Sequence, residues 1–154
     1  VVAAIYIVPQ VVLHIGLALI ASEGFLPYMG QTLDVLWKVP MVTLAFVALN
    51  GAIVFILSAL INRTGIAAAA FFGLLIAGGP IAARVAEAPF QGARWASLLA
   101  FDQHPRIIRD ALFEDTIDYP AEVAGFGVWT SVVVVVVVVV AAVVIVRRRY
   151  RKLA

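Results

Sequence analysis

The most constraining feature of the chain is its last apolar run, Ala124 to Val146, together with the basic cluster that ends it. The run holds nine consecutive valines, Val132 to Val140, and no charged residue. At about 1.5 Å per helical residue it spans the ~30 Å hydrocarbon core of a bilayer. It stops at Arg147, Arg148, Arg149, Tyr150, Arg151 and Lys152. Short flanks rich in Lys and Arg stay on the cytoplasmic side, so this helix is expected to run from outside to inside. The sidedness of every earlier loop follows by counting back.

Composition agrees. Hydrophobic residues make up 64% of the chain and charged residues 13%, against roughly 45–50% and about 25% in a soluble domain. Such a chain cannot clothe a soluble core in polar surface and reads as an integral membrane protein. Its net charge of +2 is concentrated in the tail and speaks of topology, with no nucleic-acid partner implied. The lack of cysteine excludes disulfides and thiolate metal sites. The chain opens at Val1, already inside an apolar run, and is expected to be a piece of a longer protein.

The reading is an all-α, polytopic membrane helical bundle. It has four transmembrane spans, at about 1–22, 41–61, 65–83 and 124–146, in a single transmembrane domain. The external loop is 84–123 and the cytoplasmic basic tail 147–154. The first span carries Pro9, where a kink is expected. It also carries His14, read as a buried histidine bonded to another helix in preference to a proton or metal site. The loop from Glu23 to Pro40 places Tyr28 and Trp37 at the headgroup level, with Pro40 opening the second helix.

In the second span Thr43, Asn50, Gly51 and Ser58 share one face, and interhelical hydrogen bonding is preferred there over substrate contact. The tight turn at Asn62, Arg63 and Thr64 leads into a third span with small residues at i+4 steps: Gly65, Ala69, Gly73 and Ala77. That ladder permits close helix approach, with the small and polar face of the second span as the expected partner. Gly78, Gly79 and Pro80 predict a weakened or broken helix end. Arg63 and the Arg147, Arg148, Arg149, Arg151, Lys152 cluster set the topology.

The external loop holds four arginines and seven acids. Pro105 is expected to open a short amphipathic helix, with Ile107, Ile108, Ala111 and Leu112 as its apolar stripe. Arg106 and Asp110 stand opposite that stripe. Trp95, Leu98, Leu99 and Phe101 form an apolar patch upstream, so two short helices on or dipping into the bilayer surface are expected. Asp102, His104, Glu114 and Asp115 are of the types that bind a divalent cation, but a solvated acidic loop is the commoner origin of such a run, and no metal site is assigned. His14 and His104 differ too much in depth to hold one haem. No Walker-type phosphate loop, intramembrane acid or catalytic constellation is evident, so neither an enzyme nor a cofactor is expected.

Two segments carry a resemblance. ALNGAIVFILSALINRTGIAAAAFFGLLI, Ala48 to Ile76, resembles the fourth and fifth helices of type-two ABC export permeases, with their short basic turn and alanine-rich return helix. SLLAFDQHPRIIRDALFEDTIDYPAEVAGFGVWTSVVVVVV, Ser97 to Val137, with RRRYRK after it, is similar to that family's carboxyl end. There an external pair of amphipathic helices precedes the last span. The resemblance implies a membrane-spanning exporter subunit in the cell (inner) membrane with a cytoplasmic carboxyl terminus. It implies a separate ATP-binding cassette ATPase subunit and a second permease copy, as homo- or heterodimer. The family's first two helices, and the cytoplasmic segment after them that takes the push of the ATPase, have no counterpart in these residues. The alternative, from another class, is a non-catalytic anchor or assembly subunit of a larger membrane complex.

Overall fold

The computed structural model describes residues 2–89, 92–114, 119 and 125–151. Every element in it is helical, with no strand among the described residues. In order these are α1 (Val2–Ile20), α2 (Phe25–Thr32), α3 (Val35–Leu60) and α4 (Thr64–Ala86). A 3₁₀ helix, η1 (Ala93–Leu99), follows, then α5 (His104–Phe113) and α6 (Val128–Arg151). The chain forms two compact units, Val1–Val47 and Ala48–Ala154, and α3 contributes residues to both.

Three helices, α3, α4 and α6, are long and apolar enough to cross a bilayer. At about 1.5 Å per residue each exceeds the ~30 Å hydrocarbon core. Only 17% of the most apolar window of each is buried within the chain. Lipid or a partner must cover the rest, because exposed apolar surface on this scale is not tolerated in water. A shorter apolar stretch, Ile7–Ile20, lies in α1.

Helix α3 starts at Val35, before the expected entry at Pro40, which lies inside it. The Asp34 carbonyl accepts from the Trp37 and Lys38 amides, and the Asp34 carboxylate pairs with Lys38 at 2.6 Å. These bonds form the first turn, and Pro40 falls early enough that little of the hydrogen-bond ladder is lost.

Helix α4 runs unbroken through Gly78, Gly79 and Pro80 to Ala86, where the sequence predicts a weakened or broken end. Tertiary contact holds this stretch: Gly79 and Ala82 are buried, and the segment after η1 lies against them. A Cβ built on Gly79 would stand 2.8 Å from Asp102 Oδ1. Glycine is here an approach point for another part of the chain, which a propensity argument misses.

In the second unit α4 and α6 run in opposite directions. Asn62, just before α4, accepts from Arg149 near the end of α6. At the other end α4 packs on η1 and α5 on α6. Leu49, Ile53 and Val135 form the core, with Leu57, Phe71, Leu74, Phe101, Ile108 and Val138 around them. In a bilayer, close packing and hydrogen bonds hold such a core, since lipid tails are as apolar as leucine.

Candidate functional site

The segment between α4 and α6 concentrates the buried polar groups, and three interactions organise it. His104, the first residue of α5, is completely buried. Its Nε2 lies 2.9 Å from the Leu98 carbonyl, and its Nδ1 lies 3.1 Å from Ser131 Oγ on α6. A carbonyl only accepts, so Nε2 carries the proton and Nδ1 accepts from the Ser131 hydroxyl. One neutral imidazole thus ties the end of η1 to α5 and α6. Burial is the main cause that lowers its pKa below 6.5; the Leu98 bond and the Asp102 charge pull the other way.

Asp110 anchors the second interaction. The Tyr119 hydroxyl donates to Asp110 Oδ2 at 2.6 Å, and Arg109 Nε donates to Oδ1. Burial of the carboxyl acts to raise its pKa. The bonds from Arg109 and Tyr119 and the charges of Arg109 and Arg106 outweigh it, so the pKa falls below 3.8. The Tyr119 hydroxyl is pushed up to about 12, first by burial and then by the bond to the Asp110 anion. Ile107 and Tyr119 form a small core with Phe126 and Val128 beside them.

The third interaction is Asp102 against α4. Oδ1 lies at Gly79, buried and without a hydrogen-bond partner, and Arg106 stands 3.9 Å from Oδ2. The adjacent Gln103 also has a buried amide oxygen without a partner. Gly79 is seven residues inside the end of α4, about 10 Å along the axis. The fold therefore carries a carboxylate from a loop to the level of a helix interior.

These arrangements correct two expectations. Asp110, on the face of α5 opposite the expected apolar stripe, is buried and pairs with Arg109 and Tyr119, while Ala111 of that stripe is exposed. His104 is not part of a solvated acidic loop, and both its nitrogens are engaged. Glu114 is exposed in a left-handed cap at φ 57, and Asp115 lies outside the described residues. Among the described residues no group of three or more His, Cys, Asp or Glu is placed to hold a metal. The upstream patch is the 3₁₀ helix η1, with Trp95 on Phe126 at a ring separation of 4.9 Å and Leu99 exposed.

The small-residue ladder is not the contact between α3 and α4. Gly65, Ala69, Gly73 and Ala77 are exposed, and nothing lies within 4 Å of a Cβ added at Gly65 or Gly73. Phe71 and Leu74, on other faces of α4, are the α4 residues that join the core cluster of Leu49, Ile53 and Val135. Thr43 and Asn50 are half-buried and Ser58 is exposed. Arg63, Arg147, Arg148 and Arg151 are exposed and Arg149 half-buried; Lys152 lies outside the described residues.

In the first unit His14 is buried, with Nε2 3.1 Å from Thr32 Oγ1. That hydroxyl gives its proton to the Tyr28 carbonyl at 2.7 Å, so His14 is the donor. Gln10, His14 and Leu17 line a cavity of about 180 Å³ with Val35, Leu36 and Val39. Sequence offered no direct signal for Ser131, Tyr119 or Leu98 as partners, since each pairing depends on the folded path.

Together these features define a multi-pass, all-helical membrane protein. No family model matches the chain, and neither does any curated protein or solved structure.

Proposed function

We propose that the chain is the carboxyl-terminal portion of a membrane-spanning ABC exporter permease. In this reading α1 counts as a fourth span in addition to α3, α4 and α6, and the carboxyl end of α6 faces the cytoplasm in the inner membrane. The segment from η1 to α5 closes the outer end of the translocation path. Two permease copies surround that path, and a separate ATPase drives it by biasing inward- and outward-open states.

One observation carries the reading. Arg149 bonded to Asn62 gathers the arginines of α6 and the α3–α4 turn at one end of the second unit. The His104, Asp110 and Asp102 interactions gather the η1–α5 segment at the other. A basic end and a folded cap on the same helices support an asymmetric, vectorial membrane component. The exposed ladder at Gly65, Ala69, Gly73 and Ala77 supports association with another helix.

Mild-detergent purification of the full-length protein from native membranes tests this. Recovery of a stoichiometric ATPase with Walker motifs, and a second permease copy, is the expected result. Recovery in a respiratory or secretion complex without an ATPase would overturn it in favour of the anchor. Protease accessibility of a tag after Arg151 checks the sidedness, and exposure on the outer surface would refute it.

A further inference from the structure

The exposed side of α6 is continuous from its apolar middle to its basic end. At roughly 100° per residue, Val133, Val136, Val137, Val140, Val143 and Val144 fall within an arc of about 120°, and all six are exposed. The buried residues of the helix, Ser131, Val135 and Ala142, lie on the opposite side. Arg149 falls in that buried sector, where it donates to Asn62. Arg147, Arg148 and Arg151 fall in or beside the exposed sector, at the end of the valine stripe, and are themselves exposed.

Among the described residues these three guanidinium groups pair with no Asp or Glu. Neither α3, α4 nor α6 contains an Asp or Glu. The carbonyl end of the helix carries only about half a negative charge, which cannot balance three cations. An anionic partner that also meets the bare hydrocarbon surface directly beside the charges would complement both features. A diacyl lipid with an anionic phosphate headgroup has this division of chemistry. Its chains lie along the valines, and its phosphate oxygens accept from planar forks suited to paired hydrogen bonds.

We propose that the exposed face of α6 is a binding site for an anionic phospholipid, with Arg147, Arg148 and Arg151 holding the headgroup phosphate. The site requires α6 to cross a bilayer and is independent of the exporter reading. Arg149 is not part of it, because its contact with Asn62 turns it toward the α3–α4 end. The contribution of three juxtamembrane arginines corresponds to a preference on the order of a hundredfold over a zwitterionic lipid.

Native mass spectrometry of the full chain in detergent tests the site, using phosphatidylglycerol and phosphatidylcholine with identical acyl chains. Wild type is expected to retain phosphatidylglycerol on the order of a hundredfold more tightly, and R147Q/R148Q/R151Q to retain the two lipids about equally. Arg148→Gln alone, a single change at an exposed residue, is expected to lose roughly fivefold of the preference. R84Q/R94Q, which changes exposed arginines elsewhere, is expected to keep it. Equal retention by wild type, an undiminished preference in the Arg148 variant, or an equal loss in R84Q/R94Q would overturn the proposal. Inorganic phosphate and glycerophosphoglycerol separate the sources. Displacement of the lipid by either at comparable concentration would show a free-anion site in which the valine stripe has no part.

Discussion

Replacing Ser131 by alanine tests whether the neutral imidazole of His104 holds the segment after α4 to α6. The change removes the only hydroxyl that donates to Nδ1, and the ring is completely buried, so water cannot take its place. Leaving a buried acceptor unpaired costs about 1–3 kcal/mol. Hydrogen bonds inside membrane bundles average ~0.6 kcal/mol, because the unfolded chain in lipid or detergent finds other partners. The expected loss is therefore about 1–2 kcal/mol, toward the upper end of what membrane hydrogen bonds give. His104→Ala is expected to lose more, about 2–4 kcal/mol, since it also strands the Leu98 carbonyl and leaves a cavity. The double variant should lose less than the sum, because both changes break the same bond.

Tryptophan fluorescence during titration of mixed micelles with a denaturing detergent reports the transition. Trp95 sits on Phe126 and Trp129 lies two residues before Ser131, while Trp37→Phe removes the remaining indole. Acidity supplies a second readout. The folded His104 pKa is below 6.5, so between the two values the unfolded chain binds a proton that the folded one does not. Stability is then expected to fall as pH drops below 6.5 toward the folded value, and that slope should flatten in His104→Gln. Ser131→Ala and His104→Ala both within 0.3 kcal/mol of wild type, about the limit of additivity analysis, would refute the reasoning.

Tyr119→Phe is expected to cost about 1.5–3 kcal/mol, the range for a bond to a charged group. It should also abolish the loss of stability expected of wild type as pH rises from the ordinary tyrosine value of 10.0 through about 12; a wild-type alkaline profile in the variant would count against the pairing. Gly79→Ala is expected to destabilise by about 0–2 kcal/mol, since its Cβ meets the Asp102 carboxylate while alanine gains helix propensity. In an Asp102→Ala background the same substitution should cost little; equal costs in both backgrounds would disprove the contact. Gly73→Leu should leave the unfolding midpoint of the single chain unchanged, because nothing lies within 4 Å of an added Cβ. It should reduce recovery of a dimer from crosslinked membranes, and normal recovery would remove Gly73 from the interface.

The helical character and the long apolar spans were legible in the residues alone. Nine valines in a row bounded by arginine leave few foldings open, because in hydrocarbon every backbone group must be satisfied within its own segment. Glycine and proline misled at Gly78 to Pro80 for a related reason. Their local preference to end a helix is a few kcal/mol at most, and packing against the Asp102 segment overrides it. Small residues at i+4 marked a smooth face without saying what covers it. Within this chain Phe71 and Leu74 join the core cluster instead.

The buried polar groups were decided by tertiary structure. His104 meets a hydroxyl 27 positions away, and Asp110 meets Tyr119 nine positions on. No periodicity records such pairs, because hydrogen bonds between distant segments depend on where the backbone returns. Sequence could assign Asp102 and His104 only to a loop after the third span, where an acid or histidine is ordinarily solvated. The fold folds that loop back against Gly79 and Ser131, and the same side chains become buried groups whose partners, or lack of them, set their chemistry. Hydropathy acts residue by residue and so can be read along a chain; desolvation and hydrogen bonding act between neighbours in space, and only the folded path supplies those.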